Sequence, residues 1–275
     1  MKKLIFSCLL LAFFLNPAFA QEPFNPGDKI IFSNDDVVFR QIDEHTWVGT
    51  GNEMWNESLY LVEGSERSIL IDAGTSIKDL DKIVASITDK PVTLVATHVH
   101  PDHTGSSIKS FHEIYVNPGD TDLIPVFMPD YEGNVKYLKD GETISLGNRQ
   151  LEVVFTPGHT KGSTTFLDKT AGYGFSGDSF GTGLLLLSTD FSTFITSCKR
   201  ISSLMEEKNI RYLYTGHHDG ANMETLNKIK DMLTLSRNVL SGNIKGFANP
   251  DNTFGLNLAV EGEGYRIIFN ETAVK

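Results

Sequence analysis

The sequence predicts an α/β protein built as two β-sheets packed face to face, with helices on the outside. Strand-like runs come in clusters with helical stripes after them, and this order occurs twice along the chain. The 275 residues are 40 % hydrophobic and 21 % charged, with no low-complexity run, which leaves ample material for a core. No linker rich in Pro, Gly or Ser separates the halves, so residues 21–275 read as a single domain.

The first twenty residues stand apart. Met1-Lys2-Lys3 precedes an apolar run from Leu4 to Leu15, and Ala18-Phe19-Ala20 closes the segment. A basic end, a short apolar stretch and a small-x-small site are the marks of a secretory signal peptide cut after Ala20. Export, periplasmic or secreted, is therefore expected, with no membrane span in the mature chain. Cleavage removes Lys2 and Lys3 and takes the formal charge from −11 to −13. So acidic a chain lacks the clustered Lys and Arg that nucleic-acid phosphates require. Cys8 leaves with the signal, so Cys198 has no partner for an internal disulfide. It falls in helical phase with Phe191, Phe194, Ile195, Ile201 and Met205, which predicts a buried structural thiol.

Residues 21–36 show no periodicity and read as an extended arm. Strands are predicted at Val37–Ile42, Thr46–Thr50, Ser58–Val62 and Ser68–Asp72, the last two joined by the turn Glu63-Gly64-Ser65-Glu66. Ile77, Leu80, Ile83, Val84 and Ile87 form a helical stripe. Val92–Thr97 is a continuous apolar strand, followed by a short helix near Ser106 and a strand at Ile114–Val116. The second half places strands at Thr143–Ser145, Gln150–Phe155, Ser163–Leu167 and Tyr173–Phe175. A helix from Asp190 to Lys208, a strand at Ile210–Tyr214 and a helix over Asn222–Leu240 come next. A hairpin of Gly255–Val260 and Tyr265–Asn270 ends the chain.

Five of the eight histidines sit in clusters with carboxylates and glycines. The densest is Thr97-His98-Val99-His100-Pro101-Asp102-His103-Thr104-Gly105, directly after an apolar strand. Residues two apart in extended chain share a side, so His98 and His100 can face one point, and Pro101 breaks the strand so that Asp102 and His103 turn back. Such a density of hard and borderline donors is the signature of metal ligation. Three further strands end in Gly158-His159, Gly177-Asp178 and Gly216-His217, each glycine allowing backbone to pass close to a crowded centre.

With these residues the sequence resembles the metallo-β-lactamase superfamily, in His98-x-His100-x-Asp102-His103, His159, Asp178 and His217, over residues 58–220. Asp72-Ala73-Gly74 is similar to the family's strand-end Asp, which supports the metal cluster from behind. The resemblance implies a four-layered αβ/βα sandwich with the site at the rim where the sheets meet. It further implies two zinc ions per chain, one held by His98, His100 and His159 and one by Asp102, His103 and His217, with Asp178 bridging. His218 is the rival to His217, and the family's Gly-His pattern favours His217.

Two such zinc ions hold a hydroxide at neutral pH and present it to an acyl or phosphoryl centre. Asp102 is then both ligand and general acid/base, and an ester, thioester, lactone or similar acyl compound is the expected small-molecule substrate. β-Lactam hydrolysis is an alternative, although Asp178 stands where the best-known zinc β-lactamases have Cys, and Ser179-Phe180-Gly181-Thr182-Gly183 after it supplies no Lys. A mononuclear iron persulfide dioxygenase is another alternative of this fold. Three segments are expected to shape the pocket: Gly49–Asn56 with Met54 and Trp55, Leu123–Tyr131 with Phe127, and Gly181–Leu187. Lys161 is a candidate contact for an anionic group. Nothing in the sequence sets the oligomeric state.

Overall fold

The computed structural model describes residues 29–274, so the segment read as a signal peptide lies outside the described residues. Among these, eight strands form the first sheet in chain order: β1 (Ile30–Ser33), β2 (Val37–Asp43), β3 (Thr46–Gly51), β4 (Ser58–Glu63), β5 (Ser68–Ile71), β6 (Val92–Val95), β7 (Glu113–Val116) and β8 (Asn134–Tyr137). Pairing is antiparallel through β5 and parallel from β5 to β8. Helix α1 (Leu80–Ile87) makes the crossover from β5 to β6 and buries Leu80, Ile83 and Val84, the face its periodicity predicts.

The second sheet contains β9 (Thr143–Ser145), β10 (Gln150–Phe155), β11 (Thr164–Asp168), β12 (Tyr173–Gly177), β14 (Tyr212–Thr215) and β15 (Glu224–Thr225), with β13 (Leu184–Leu186) set aside in a third. Two single-turn helices, α2 (Pro101–Thr104) and α3 (Ile124–Phe127), belong to the loops around the rim. Helix α4 (Phe191–Lys208) crosses from β12 to its parallel neighbour β14. The Asp190 carboxylate starts α4 by accepting from Thr193 N at 2.8 Å, and Asn209 ends it in the left-handed conformation. Helix α5 (Leu226–Leu240) packs along α4.

Alternation along the strands builds the layers. In β4, Leu59 and Leu61 face α1 while Tyr60 and Val62 face the second sheet. Tyr60, Val62, Ile69 and Ile71 meet Val153, Phe166, Phe175 and Tyr214 between the sheets. The far face of the second sheet packs on α4 and α5. Both sheets are covered on both sides, which is why β4 and β5 read as continuous apolar runs. Cys198 is buried within α4, where burial pushes its thiol up, in keeping with a structural role.

The structure adds to and corrects the sequence reading at several elements. The stretch read as an extended arm contains strand β1, paired with β2 across a turn in which Asn34 Oδ1 accepts from Asp36 N and Val37 N. Ile30 and Ile31 are both exposed, so no alternation marked the strand. Edge strand β8 is likewise mostly exposed and carries no apolar alternation. The final hairpin does not join either large sheet. It forms β17 (Leu258–Gly262) and β18 (Tyr265–Phe269) of a third sheet, ordered β13-β18-β17-β16, with β16 at Phe247–Ala248. The Leu184–Leu187 run, read as a loop lip, is therefore half sheet. Leu185 and Leu187 are in the core, whereas Leu184 is exposed.

Candidate metal centre

Every predicted ligand follows the C-terminal end of a strand, and these ends converge on one rim. β6 runs into His98 and His100, β10 into His159, β12 into Asp178 and β14 into His217. Pro101 opens the α2 turn, with His100 as the extended residue before it, and this turn carries Asp102 and His103 back under the loop. Gly177 has φ +50°, and a Cβ there would lie 2.2 Å from Thr97 Oγ1; one on Gly216 would lie 2.2 Å from Asp178 Oδ1. Glycine at both positions lets three strand ends crowd together.

The donor atoms fall into two groups, His98, His100 and His159 in one and Asp102, His103, Asp178 and His217 in the other. In the first, His100 Nδ1 lies 3.1 Å from His98 Nε2 and 2.9 Å from His159 Nε2. Tetrahedral ligands about 2.0–2.1 Å from zinc are roughly 3.3 Å from one another, so the spacing fits a shared cation. In the second, His217 Nε2 is 3.3 Å from Asp102 Oδ2 and 3.4 Å from Asp178 Oδ2, and His103 Nε2 is 3.5 Å from Asp102 Oδ2. Asp178 lies between the groups, with Oδ2 3.8 Å from His159 Nε2 and Oδ1 3.8 Å from His103 Nε2.

The far nitrogens of three rings, His98, His103 and His159, are engaged so as to leave the inner ones free. His103 Nδ1 donates to Asp72 Oδ2 at 2.8 Å. His159 Nδ1 donates to the Leu186 carbonyl at 2.9 Å. His98 Nδ1 is 3.1 Å from Thr97 Oγ1, whose proton goes to Asp72 Oδ2 at 2.8 Å. Among the described residues, buried His103 Nε2 and Asp178 Oδ1 have no hydrogen-bond partner, an arrangement that costs free energy unless a cation completes it.

Electrostatics point the same way. Burial, helped by neighbouring imidazoles, pushes His100 down to about 3 and His98 well below its ordinary value, so both are neutral donors. Burial alone would raise Asp102 and Asp178, but His103 and His217 hold both below the usual carboxylate range. Against burial, Asp178 and Asp102 lift His217 to about 9. Asp102, buried, and Asp178, half-buried, thus make a negative field that draws protons onto the facing histidines, and a divalent cation answers the same field with more charge.

The geometry separates the two adjacent histidines. His217 enters the second group. His218 turns away, its Nδ1 3.1 Å from Asn222 Oδ1 and its ring edge-on to Tyr214. Among the pocket candidates, the Phe127 ring meets His100 edge-on at 5.4 Å and Trp55 meets His217 at 6.4 Å. Met54 is half-buried and its N–H goes to Glu57. Lys161 is exposed, and its backbone carbonyl lies against Gly119.

Two buried carboxylates with clear roles escaped the sequence reading. Asp120 accepts from Val99 N, Gly162 N and Thr160 Oγ1 at 2.7–3.0 Å, tying the His98–His103 segment to the loop after His159. Glu57 accepts from Met54 N and Thr75 N, both at 3.0 Å, and anchors the Trp55 loop. Asp120 sits in an Asn-Pro-Gly-Asp turn and Glu57 in a polar loop, which look like solvated positions in one dimension.

A family model described as the metallo-β-lactamase superfamily matches residues 54–241. The chain is 28 % identical over 211 residues to acyl-coenzyme A thioesterase MBLAC2 of Gallus gallus, covering 62 % of this chain and 76 % of that one. It is 29 % identical over 132 residues to a hydroxyacylglutathione hydrolase of a Synechococcus strain, covering 46 % and 49 %. Among solved structures, a metallo-β-lactamase from Pontibacter korlensis superposes with a TM-score of 0.58 at 18 % identity, over 74 % of this chain and all of that one, a likeness of fold.

Proposed function

Since the chain belongs to the metallo-β-lactamase superfamily and is a hydrolase, we propose that it is an exported dinuclear zinc enzyme cleaving thioesters and related acyl esters with an apolar acyl part. The observation that carries this is the pair of donor groups joined by Asp178. His98, His100 and His159 would hold one ion, Asp102, His103 and His217 the other, and Asp178 both. When bound, two zinc ions supply Lewis acidity toward an acyl oxygen and bring water ionisation from 15.7 to about 7.

The chain's own residues do the rest. Asp102 presents its carboxylate beside His217 and holds or passes a proton there. Asp72 and Thr97 keep His103 and His98 in the ligating tautomer. Trp55, Val126 and Leu184, 69 %, 61 % and 47 % exposed, stand on the three segments expected to shape the pocket. Trp55 also meets His217, and an exposed apolar side chain beside a site recognises an apolar acyl group and excludes water from it. Relatives named for acyl-coenzyme A and hydroxyacylglutathione, acyl groups carried on sulfur, support the thioester class. The −13 charge gives no steering to a polyanionic carrier, so the acyl group is the recognised part.

The test is a hydrolysis panel on zinc-loaded protein, with metal analysis alongside. It contains neutral acyl thioesters, an acyl-coenzyme A, aryl esters, an acyl-homoserine lactone, a nitrocefin-like lactam and a phosphodiester. Thioesters should be turned over best and two zinc equivalents found. A single bound iron, or turnover confined to the lactam, rejects the proposal. Export is tested separately by mass spectrometry of the mature chain, which should begin at Gln21.

A further inference from the structure

We propose that the C-terminal sheet is a working part of the metal centre: it positions His159 through the carbonyl of Leu186. This rests on the reading that His98, His100 and His159 hold a metal ion. The strands that build this support, β16, β17 and β18, lie beyond residues 54–241, the part matched to the family.

The chain of contacts is short. β13 is the edge strand of its sheet and pairs in parallel with β18, in the register Leu184↔Arg266, Leu185↔Ile267 and Leu186↔Ile268. Leu187 N donates to the Ile268 carbonyl at 2.9 Å, and Arg266 N donates to the Gly183 carbonyl at 2.8 Å. Because peptide groups alternate along a strand, turning residue 187 toward β18 turns the Leu186 carbonyl the other way. There it accepts from His159 Nδ1 at 2.9 Å. The free edge of the small sheet therefore selects which nitrogen of His159 keeps its proton and which is left for the cation. A slip of one residue between β13 and β18 would turn the carbonyl away and leave Nδ1–H unpaired.

The side chains hold that register. Leu186 packs with Leu256, Ala259 and Ile268 on the outer face, and Leu185 packs with Ile267 and Phe269 on the inner one. The loop carrying His159 is gripped from the same side, with Thr189 N donating to the Gly158 carbonyl at 3.1 Å and Ser197 Oγ to the Pro157 carbonyl at 2.7 Å. Those contacts hold the backbone. Of these contacts, the one from the Leu186 carbonyl is made to the ring.

The experiment compares Ile268→Ala and the milder Ile268→Val with Ile229→Ala, a truncation in α5 outside the β13–β18 ladder. Zinc affinity is measured by chelator competition on the folded protein, and the His159 Nδ1 proton is followed by nitrogen-15 NMR. Loss of an outer-shell partner typically costs 10–100-fold in metal affinity. Ile268→Ala should lose that much for one of two zinc equivalents, and the Nδ1 proton should exchange faster. Ile268→Val should fall between it and the wild type. Ile229→Ala should lower Tm while keeping both affinities. Unchanged zinc binding in both Ile268 variants, or an equal loss in Ile229→Ala, overturns the positioning role. Failure of the wild type to bind zinc at all instead rejects the metal reading beneath it.

Discussion

Asp72 Oδ2 accepts a hydrogen bond from His103 Nδ1 at 2.8 Å, and both side chains are sealed from solvent. The same carboxylate accepts from Thr97 N at 2.7 Å and Thr97 Oγ1 at 2.8 Å. Asp72 does this from a left-handed backbone with φ +64°, a conformation that Asp and Asn tolerate better than other side chains. One residue at the end of β5 thus aims two histidines, His103 directly and His98 through Thr97.

Asp72→Asn keeps the shape and the backbone preference but removes the charge that fixes the His103 tautomer. Zinc affinity in the second group should fall about 10–100-fold. Asp72→Ala should also lower Tm, because Ala does not suit the left-handed backbone. Chelator competition and thermal melts on both variants check this. Wild-type zinc affinity in Asp72→Asn would remove the residue from the site.

Asp102 and Asp178 both face the second group, yet different losses are expected. Asp102→Asn should weaken that metal and also lower kcat by about 10²–10⁴-fold with zinc in excess, because proton management goes with the carboxylate. Asp178→Asn should act mainly by metal loss, since its carboxylate lies between both groups. Full recovery of kcat in Asp102→Asn at saturating zinc would leave Asp102 as a ligand only.

Glu224 predicts a pH dependence of stability. It is fully buried at the start of β15, with Oε1 2.8 Å from Lys228 Nζ and Oε2 without a partner among the described residues. Burial outweighs the lysine and pushes the carboxyl from 4.5 up to about 7. Between those values the folded chain holds a proton that the unfolded chain has released. The contribution is therefore complete below about 4.5, falls as pH rises toward 7 and is gone above it, a change of at most about 3 kcal/mol. Urea melts of zinc-saturated wild type and Glu224→Gln from pH 5 to 8 should differ by that slope. Parallel curves would mean that Glu224 does not titrate in this window.

The layered architecture and the donor set are both legible in the sequence. The strands' apolar runs and the helices' stripes repeat over a few residues, so burial on one face or two is written locally. The donor set is equally local: ligand types concentrate at strand ends, with Gly177 and Gly216 marking where backbones crowd. That His217 rather than His218 faces the carboxylates is visible only in the tertiary structure, because adjacent side chains diverge toward Asp102 and Asp178 on one side and Asn222 on the other. The same holds for Asp120, which joins loops 21 and 42 residues away in the chain, and for the Leu186 carbonyl, 27 residues from His159. It holds too for Arg149, which reaches Tyr173 Oη at 3.0 Å and, on the other sheet, the His45 carbonyl at 3.1 Å. Each of these contacts satisfies a polar group across a fold already assembled. Its partner is set by the packing of distant strands and leaves no periodic trace in the chain.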